Sequence, residues 1–212
     1  MNGIKIPFNP YDFLGYIVQG FLLLIGFILL FIPTEIVNRV IASYNIYTSS
    51  FILLLISYII GHINAEIGSF ILENTYVKKI KGYPPILEGN KPFKEEFKRV
   101  FDAYFENRFE IEDARNSFLL AFHTVKENCP VTYSRIFTFL VNYGFARNFC
   151  MIFKIYAILS LIKFVFDINY LYLAGFVVSV ALSYVFFRRY YKFLSHHNSE
   201  VYYSFYLYAK DR

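Results

Sequence analysis

Residues 170–187 read YLYLAGFVVSVALSYVFF, eighteen positions without one charged side chain. A bilayer core of about 30 Å takes roughly 20 apolar residues in a helix. This stretch approaches that length, and Arg188 and Arg189 close it. Its reading sets the fold class: an all-α polytopic membrane protein.

Three further stretches fit the same medium. Residues 11–32 carry only Asp12 and Gln19 as strongly polar side chains. Pro7 and Pro10 bring the chain in extended, and Pro33 ends the run. Residues 51–72 carry His62, Asn64 and Glu66. Residues 149–166 carry Lys154 and Lys163 toward opposite ends, where long basic side chains snorkel to the two interfaces. Four transmembrane helices are therefore expected. A helical cytoplasmic insertion lies between the second and third, over 73–148, and a helical tail over 188–212. The whole is read as a single membrane-embedded unit.

Bulk composition agrees. The 212 residues are 57% hydrophobic and 17% charged, against about a quarter charged in soluble domains. Aromatic residues reach 22%, with 26 Phe, 20 Tyr and no Trp. Interfacial aromatic belts and an AT-rich coding bias both account for that. Cys129 and Cys150 frame no disulfide scaffold, and reduced thiols are expected. There is no Asn-x-Ser/Thr site, and the first apolar run is too long for a signal-peptide core.

Orientation follows from Lys and Arg in the connections. Between the first two spans stands only Arg39, and between the last two none. Lys78, Lys79, Lys81, Arg147, Arg188 and Arg189 flank membrane ends on one side if there are four spans. Both termini are then cytoplasmic, in a bacterial inner membrane.

The cytoplasmic region is expected to be helical. Pro92 suits a first turn, and Phe93, Phe97, Val100, Phe101 and Tyr104 follow at helical spacing. A second helix is expected from near Glu112 and Asp113, with Ala114, Phe118, Ala121, Phe122 and Val125 as its apolar stripe. After Cys129-Pro130, a helix from Thr132 is expected to run into the third span. Tyr133, Phe137, Leu140 and Phe145 would pack on the hairpin. Tyr191, Leu194, Val201, Phe205 and Tyr208 would line the tail.

Two constellations stand out within the spans. Ser57, Gly61, Ala65 and Ser69 recur every four residues, as Gly175, Ser179 and Ser183 do in the fourth span. Small side chains at that spacing let helix backbones approach closely. The two stripes pack on each other or form a subunit interface. Beside the first stripe, His62, Glu66, Ser69 and Glu73 share a face, with Asn64 adjacent. Ionisable groups in a span usually face protein or water. Two readings are open: a polar lining that titrates through His62, or an internal ion pair of Glu66 with Arg147 or Lys154. Asp12 and Gln19, one heptad apart, share a face of the first span.

His196, His197 and Glu200 do not read as a metal site, because adjacent histidines point about 100° apart along a helix and no further ligand is evident. No cofactor is expected. The basic surface suits anionic lipid headgroups, nucleic acid or nucleotides, while the orientation bias alone explains most of that charge. Nucleophile-elbow, zincin, P-loop and dinucleotide signatures are missing from the sequence, so the expectation is a non-enzymatic protein.

Three short aromatic motifs carry a resemblance. They are Pro10-Tyr11-Asp12-Phe13-Leu14-Gly15-Tyr16 before the first span, Phe145-Ala146-Arg147-Asn148 before the third, and Arg188-Arg189-Tyr190-Tyr191-Lys192-Phe193-Leu194 with Glu200-Val201-Tyr202 in the tail. The chain resembles small bacterial four-span membrane proteins of antiphage defence loci, nearest to the membrane accessory proteins of type VI-B CRISPR systems. That resemblance implies an accessory, regulator or effector in immunity, acting on membrane integrity. It implies a defence effector protein as partner and brings no catalytic residue set. Homo-oligomerisation is also expected. The alternatives are a small channel or transporter without an immune role, and a scaffold that anchors a soluble partner.

Overall fold

Pro33 stops the first apolar helix. The residue before it, Ile32, is extended at φ −103°, ψ 123°, as steric conflict with a following proline ring demands. The computed structural model describes residues 13–43, 46–74, 91–105 and 114–210. Among these every element is helical. A π-helical turn, Phe13–Ile17, leads into α1, Val18–Phe31. Then come α2, Thr34–Ser43; α3, Ile46–Gly68; α4, Lys91–Tyr104; α5, Ala114–Asn128; α6, Pro130–Asp167; and α7, Tyr170–Lys210. Residues 69–74 continue α3 in π-helical form.

Three of these helices are long and apolar enough to cross a membrane: Tyr47–Asn74, Pro130–Asp167 and Tyr170–Lys210. Their surfaces give the same answer. Only 11% of the apolar stretch of α7 is buried inside the protein, and Leu171, Val177, Val178 and Val185 are all exposed. Phe51, Ile59, Ile63 and Phe70 are exposed on α3 and its π-helical continuation. In water such continuous apolar faces would associate; lipid solvates them. The first apolar helix is shorter, Gly15–Phe31, and Asp12 lies outside the described residues.

The chain divides into two compact units. Unit 1 comprises residues 1–70 and 145–188, and unit 2 residues 71–144 and 189–212. The divisions in α6 and α7 fall within a few residues of the expected start of the third apolar stretch and end of the fourth. Both helices run unbroken through them.

Unit 2 is built on aromatic rings. Its core gathers Phe97 and Phe101 from α4, Phe118, Ala121 and Val125 from α5, Ile136 from α6, and Val201, Tyr202, Phe205 and Ala209 from α7. The anticipated stripe of α4 is there, as is that of α5 from Phe118 to Val125; the Ala114 side chain lies outside what the structure describes. In α6 the deeply buried position is Ile136, while Tyr133 and Phe137 are half-buried. At one edge, the Tyr206 hydroxyl donates to Glu96 and Lys210 Nζ donates to Tyr206 at 3.0 Å. The Tyr206 hydrogen bond, helped by Lys210 and Arg99, holds the Glu96 carboxyl below its ordinary range.

Two turns are set by single residues. Pro130 opens α6 directly after α5 ends, and Cys129 bridges the break. Its N–H donates to Val125 O at 2.8 Å and its carbonyl accepts from Tyr133 N at 2.8 Å. Between α6 and α7, Ile168 sits at φ +43°, and Asn169 Oδ1 caps Leu171 N at 2.9 Å. A β-branched residue in the left-handed region is strained. Because Ile168 is exposed, Ile168→Gly relieves the strain without emptying a core. It is expected to stabilise the protein by about 1 kcal/mol, read as a rise in thermal midpoint in detergent. A fall would show that the residue holds the turn by other means.

Candidate functional site: a polar seam in the apolar unit

The first two apolar helices cross backbone to backbone. A Cβ on Gly20 would fall on the Ser57 carbonyl and within 2.7 Å of Gly61 N. One on Gly61 would fall on the Tyr16 carbonyl and within 2.9 Å of Tyr16 Cα. Only glycine permits that approach. Ser57 and Gly61 of the α3 stripe are therefore occupied by the N-terminal apolar segment. Gly175 and Ser183 of α7 face α6: Ser160 Oγ lies 3.4 Å from a Gly175 Cβ position, and Ser183 Oγ donates to Cys150 O at 3.3 Å. Ser179 is buried as well. The two stripes thus meet different neighbours rather than each other. Spacing reports that a backbone comes close, and not which one.

The crossing carries polar side chains into the apolar interior. Gln19 and Ser57 are 0% exposed and Asn64 1%. Asn64 Nδ2 donates to Asn148 O at 3.2 Å, tying α3 to α6. Arg147 Nε donates to Asn148 Oδ1 at 3.1 Å, so Asn148 joins Arg147 to this seam. Ala65 is buried, and Ser69 is half-buried at the start of the π-helical segment. Tyr156 from α6 donates its hydroxyl to Leu22 O, and its ring lies where a Gly26 Cβ would be. His62 is half-buried. Its ring stacks on Tyr16 with centroids 3.8 Å apart and meets the Tyr58 ring edge-on at 4.5 Å.

The expected ion pair is not formed. Glu66 is exposed, and neither it nor Lys154 has an ion-pair partner among the described residues. The physical reason is the rotation of α3: Asn64 turns toward α6 and Ala65 is buried, which leaves Glu66 among the outward Ile63, Ile67 and Phe70. Glu73 is half-buried and belongs to unit 2. Lys163 pairs with Asp167 at 2.7 Å.

No protein-family model, curated protein or solved structure matches this chain.

The tail histidines separate as helical geometry requires. His196 stacks on Phe139 at 5.7 Å, and Glu200 pairs with Arg135. Among the described residues no three potential ligands converge on a metal position. His197 is buried among Phe118, Phe122 and Tyr143, with centroids 5.6–6.1 Å away. Its Nδ1 is 3.2 Å from Asn198 Oδ1. That oxygen only accepts, so Nδ1 carries the proton and Nε2 is left bare and buried. Burial lowers the imidazole pKa, and the Asn198 hydrogen bond offsets this in part. The sequence offered no signal for this buried position beyond the aromatic stripes around it.

The sign of the pH effect follows. With the folded pKa depressed, the unfolded state takes up a proton first as pH falls. Stability is therefore full above the ordinary imidazole value of about 6.5 and declines as pH drops below it. Between pH 8 and 5.5 the thermal midpoint of the purified protein is expected to fall, and His197→Gln to fall less. Parallel pH profiles for the two proteins would remove His197 from the acid response.

Proposed function

We propose that this chain is a non-enzymatic, four-span protein of the bacterial inner membrane, serving as an accessory or regulator in antiphage defence. Residues 11–32 form the additional span. Both termini and unit 2 lie in the cytoplasm, and α2 lies on the outer surface. The observation that supports this reading is the sharing of α6 and α7: each supplies one segment to the apolar unit and one to the aromatic-cored unit. A partner that repacks unit 2 then acts on helices that also build the membrane part. The defence context comes from the three aromatic motifs, and the partner class with it: a soluble effector protein, with nucleic acid as a further candidate. A second reading, a small channel or transporter, draws on the buried Gln19, Ser57 and Asn64 and on His62. Scaffolding of a soluble partner is the third.

Phage challenge tests the leading reading. Cells protected by the chromosomal locus that encodes this chain should lose protection when the chain is deleted; unchanged plating efficiency would sink the reading. Topology is tested separately. An impermeant thiol reagent should label Asn38→Cys in intact cells and Lys210→Cys only after lysis. Labelling of both in intact cells would overturn the orientation.

A further inference from the structure

Exposed cations are distributed unevenly over unit 2. In α4, Lys94, Lys98 and Arg99 are interleaved with Glu95, Glu96 and Asp102, and in α5 Lys126 precedes Glu127. In α6, Arg135 pairs with Glu200. The start of the cytoplasm-directed half of α7 is different. From residue 170 to residue 199 this helix carries no acid, while Arg188, Arg189 and Lys192 follow the apolar run at once. Its first acid, Glu200, stands about 12 Å along the axis from Lys192 and is taken by Arg135. The neighbouring α6 offers no carboxylate either: its only acid is Asp167, at its far end and held by Lys163. Arg189 and Lys192 are exposed, and neither has an acid partner among the described residues.

The two cations work on one surface. Residues three apart on a helix are neighbours, with Cβ atoms about 5–6 Å apart, so two long side chains can close on one anion. Aromatic rings back them. The Arg189 guanidinium lies 5.4 Å from the centroid of the Phe193 ring. Phe193 is 6.5 Å from Phe139 of α6, and Phe139 stacks on His196 at 5.7 Å. All of these residues belong to unit 2. A ring contact consumes no N–H group, so the guanidinium fork stays available for two oxygens of a phosphate.

Position along α7 selects where that phosphate comes from. The charge-free run ends at residue 187. Arg189 and Lys192 follow it by about 3 Å and 8 Å along the helix axis. The headgroup layer outside the hydrocarbon core is about 5–8 Å deep on each side. Cations backed by aromatic rings suit that layer. A zwitterionic headgroup would bring an ammonium ion, for which this stretch has no carboxylate. A phosphodiester without a compensating cation fits the site in full.

We propose that Arg189 and Lys192, backed by Phe193, bind the phosphate of an anionic phospholipid headgroup at the bilayer surface where α7 leaves the membrane. The site rests on the membrane reading above and not on the defence context. It adds a defined lipid class to the general charge bias that orients the chain, because it needs these two side chains and not merely their sign.

The test measures lipid binding to the full chain in uncharged detergent by native mass spectrometry, with phosphatidylglycerol and phosphatidylcholine titrated separately. The wild type should bind phosphatidylglycerol more tightly. Arg189→Gln with Lys192→Gln should weaken phosphatidylglycerol binding about 30-fold, the combined effect of two basic side chains at a lipid surface, and leave phosphatidylcholine binding as it was. Both side chains are exposed, so the change empties no core. Arg189→Lys with Lys192→Arg keeps the charge and should retain most of the affinity. Lys94→Gln with Lys98→Gln removes the same charge from α4 and should leave the lipid preference intact. Equal losses in the α4 and α7 double variants would reduce the effect to net charge and overturn the site, as would no loss in either. Displacement of phosphatidylglycerol by inorganic phosphate or by a single-stranded oligonucleotide, at equal phosphate concentration, would name a soluble anion as the ligand and overturn it as well. Absence of any lipid preference in the wild type strikes only the site. A chain recovered from cells without detergent would strike the membrane reading, and the site with it.

Discussion

Gly61→Ala is expected to destabilise the protein by about 3 kcal/mol, the upper range for forcing volume into a packed interior. The added methyl would fall on the Tyr16 carbonyl, with Tyr16 Cα at 2.9 Å. Backbone cannot rotate away as a side chain can, so the helices must separate along the crossing. That separation also loosens the stack of Tyr16 on His62. For a chain of this length the thermal midpoint should drop by about 6–12 °C. Buried Cys150 supplies the readout, because a thiol-reactive dye reports its exposure on heating.

Other glycines provide the controls. At Gly26 the obstruction is the far end of the Tyr156 ring, which can swing aside. Gly26→Ala should therefore cost about 1 kcal/mol, chiefly through the displaced hydrogen bond to Leu22 O. At Gly175 the nearest atoms are Ser160 Oγ at 3.4 Å and Cβ at 3.8 Å, an ordinary contact. Gly175→Ala should leave the midpoint unchanged or raise it slightly through helix propensity. Equal effects at the three positions would refute the backbone-crossing argument, because helix propensity alone treats them alike.

The gradient among these glycines also marks how far the sequence could be read. The four-residue spacing from Ser57 to Ser69 announces close helix contact, but the same signal occurs in α7, and no pattern in either says which partner it meets. The charge-free run at 170–187 and the stripes of α4 and α5 were legible because they depend on local spacing and on solvent. Ile136, Tyr202 and Ala209 were not, because burial within a helix is decided by rotation about its axis. A rotation of about 100° separates a buried Ile136 from a half-buried Phe137 neighbour that looks more core-like by size alone. The ten-residue helix α2 was missed although its signal is in the chain. Glu35 stands in its first turn, and Ile36, Val37, Val40 and Ile41 recur at helical spacing. The orphaned amide of Gln19 could be suspected from its position in an apolar run. Its lack of a partner among the described residues could not, since that depends on how the surrounding helices pack.

Phe101→Ala is expected to cost about 4 kcal/mol, within the range for truncating a fully buried aromatic. Phe101 is 0% exposed. Its ring lies 4.7 Å from Phe105, 5.5 Å from Phe205 and 5.8 Å from Phe97. Each of those rings touches another: Phe205 meets Tyr104 edge-on at 5.5 Å, and Phe97 meets Tyr202 at 5.0 Å. Truncation removes the ring's buried area and also leaves a void that stiff aromatic neighbours fill poorly. Unit 2 draws its core from ten buried residues on four helices, while Tyr203 and Leu207 of α7 are exposed, so it has little apolar reserve to absorb the loss. Unit 1 does not use this ring. Hydrogen exchange in detergent should therefore show lost protection in α4, α5, residues 130–144 and residues 189–210, while residues 46–68 keep theirs. Uniform loss across both sets would mean that the chain unfolds as one cooperative body. In that case a partner acting on the aromatic unit would have to destabilise the whole protein in order to be felt in the membrane.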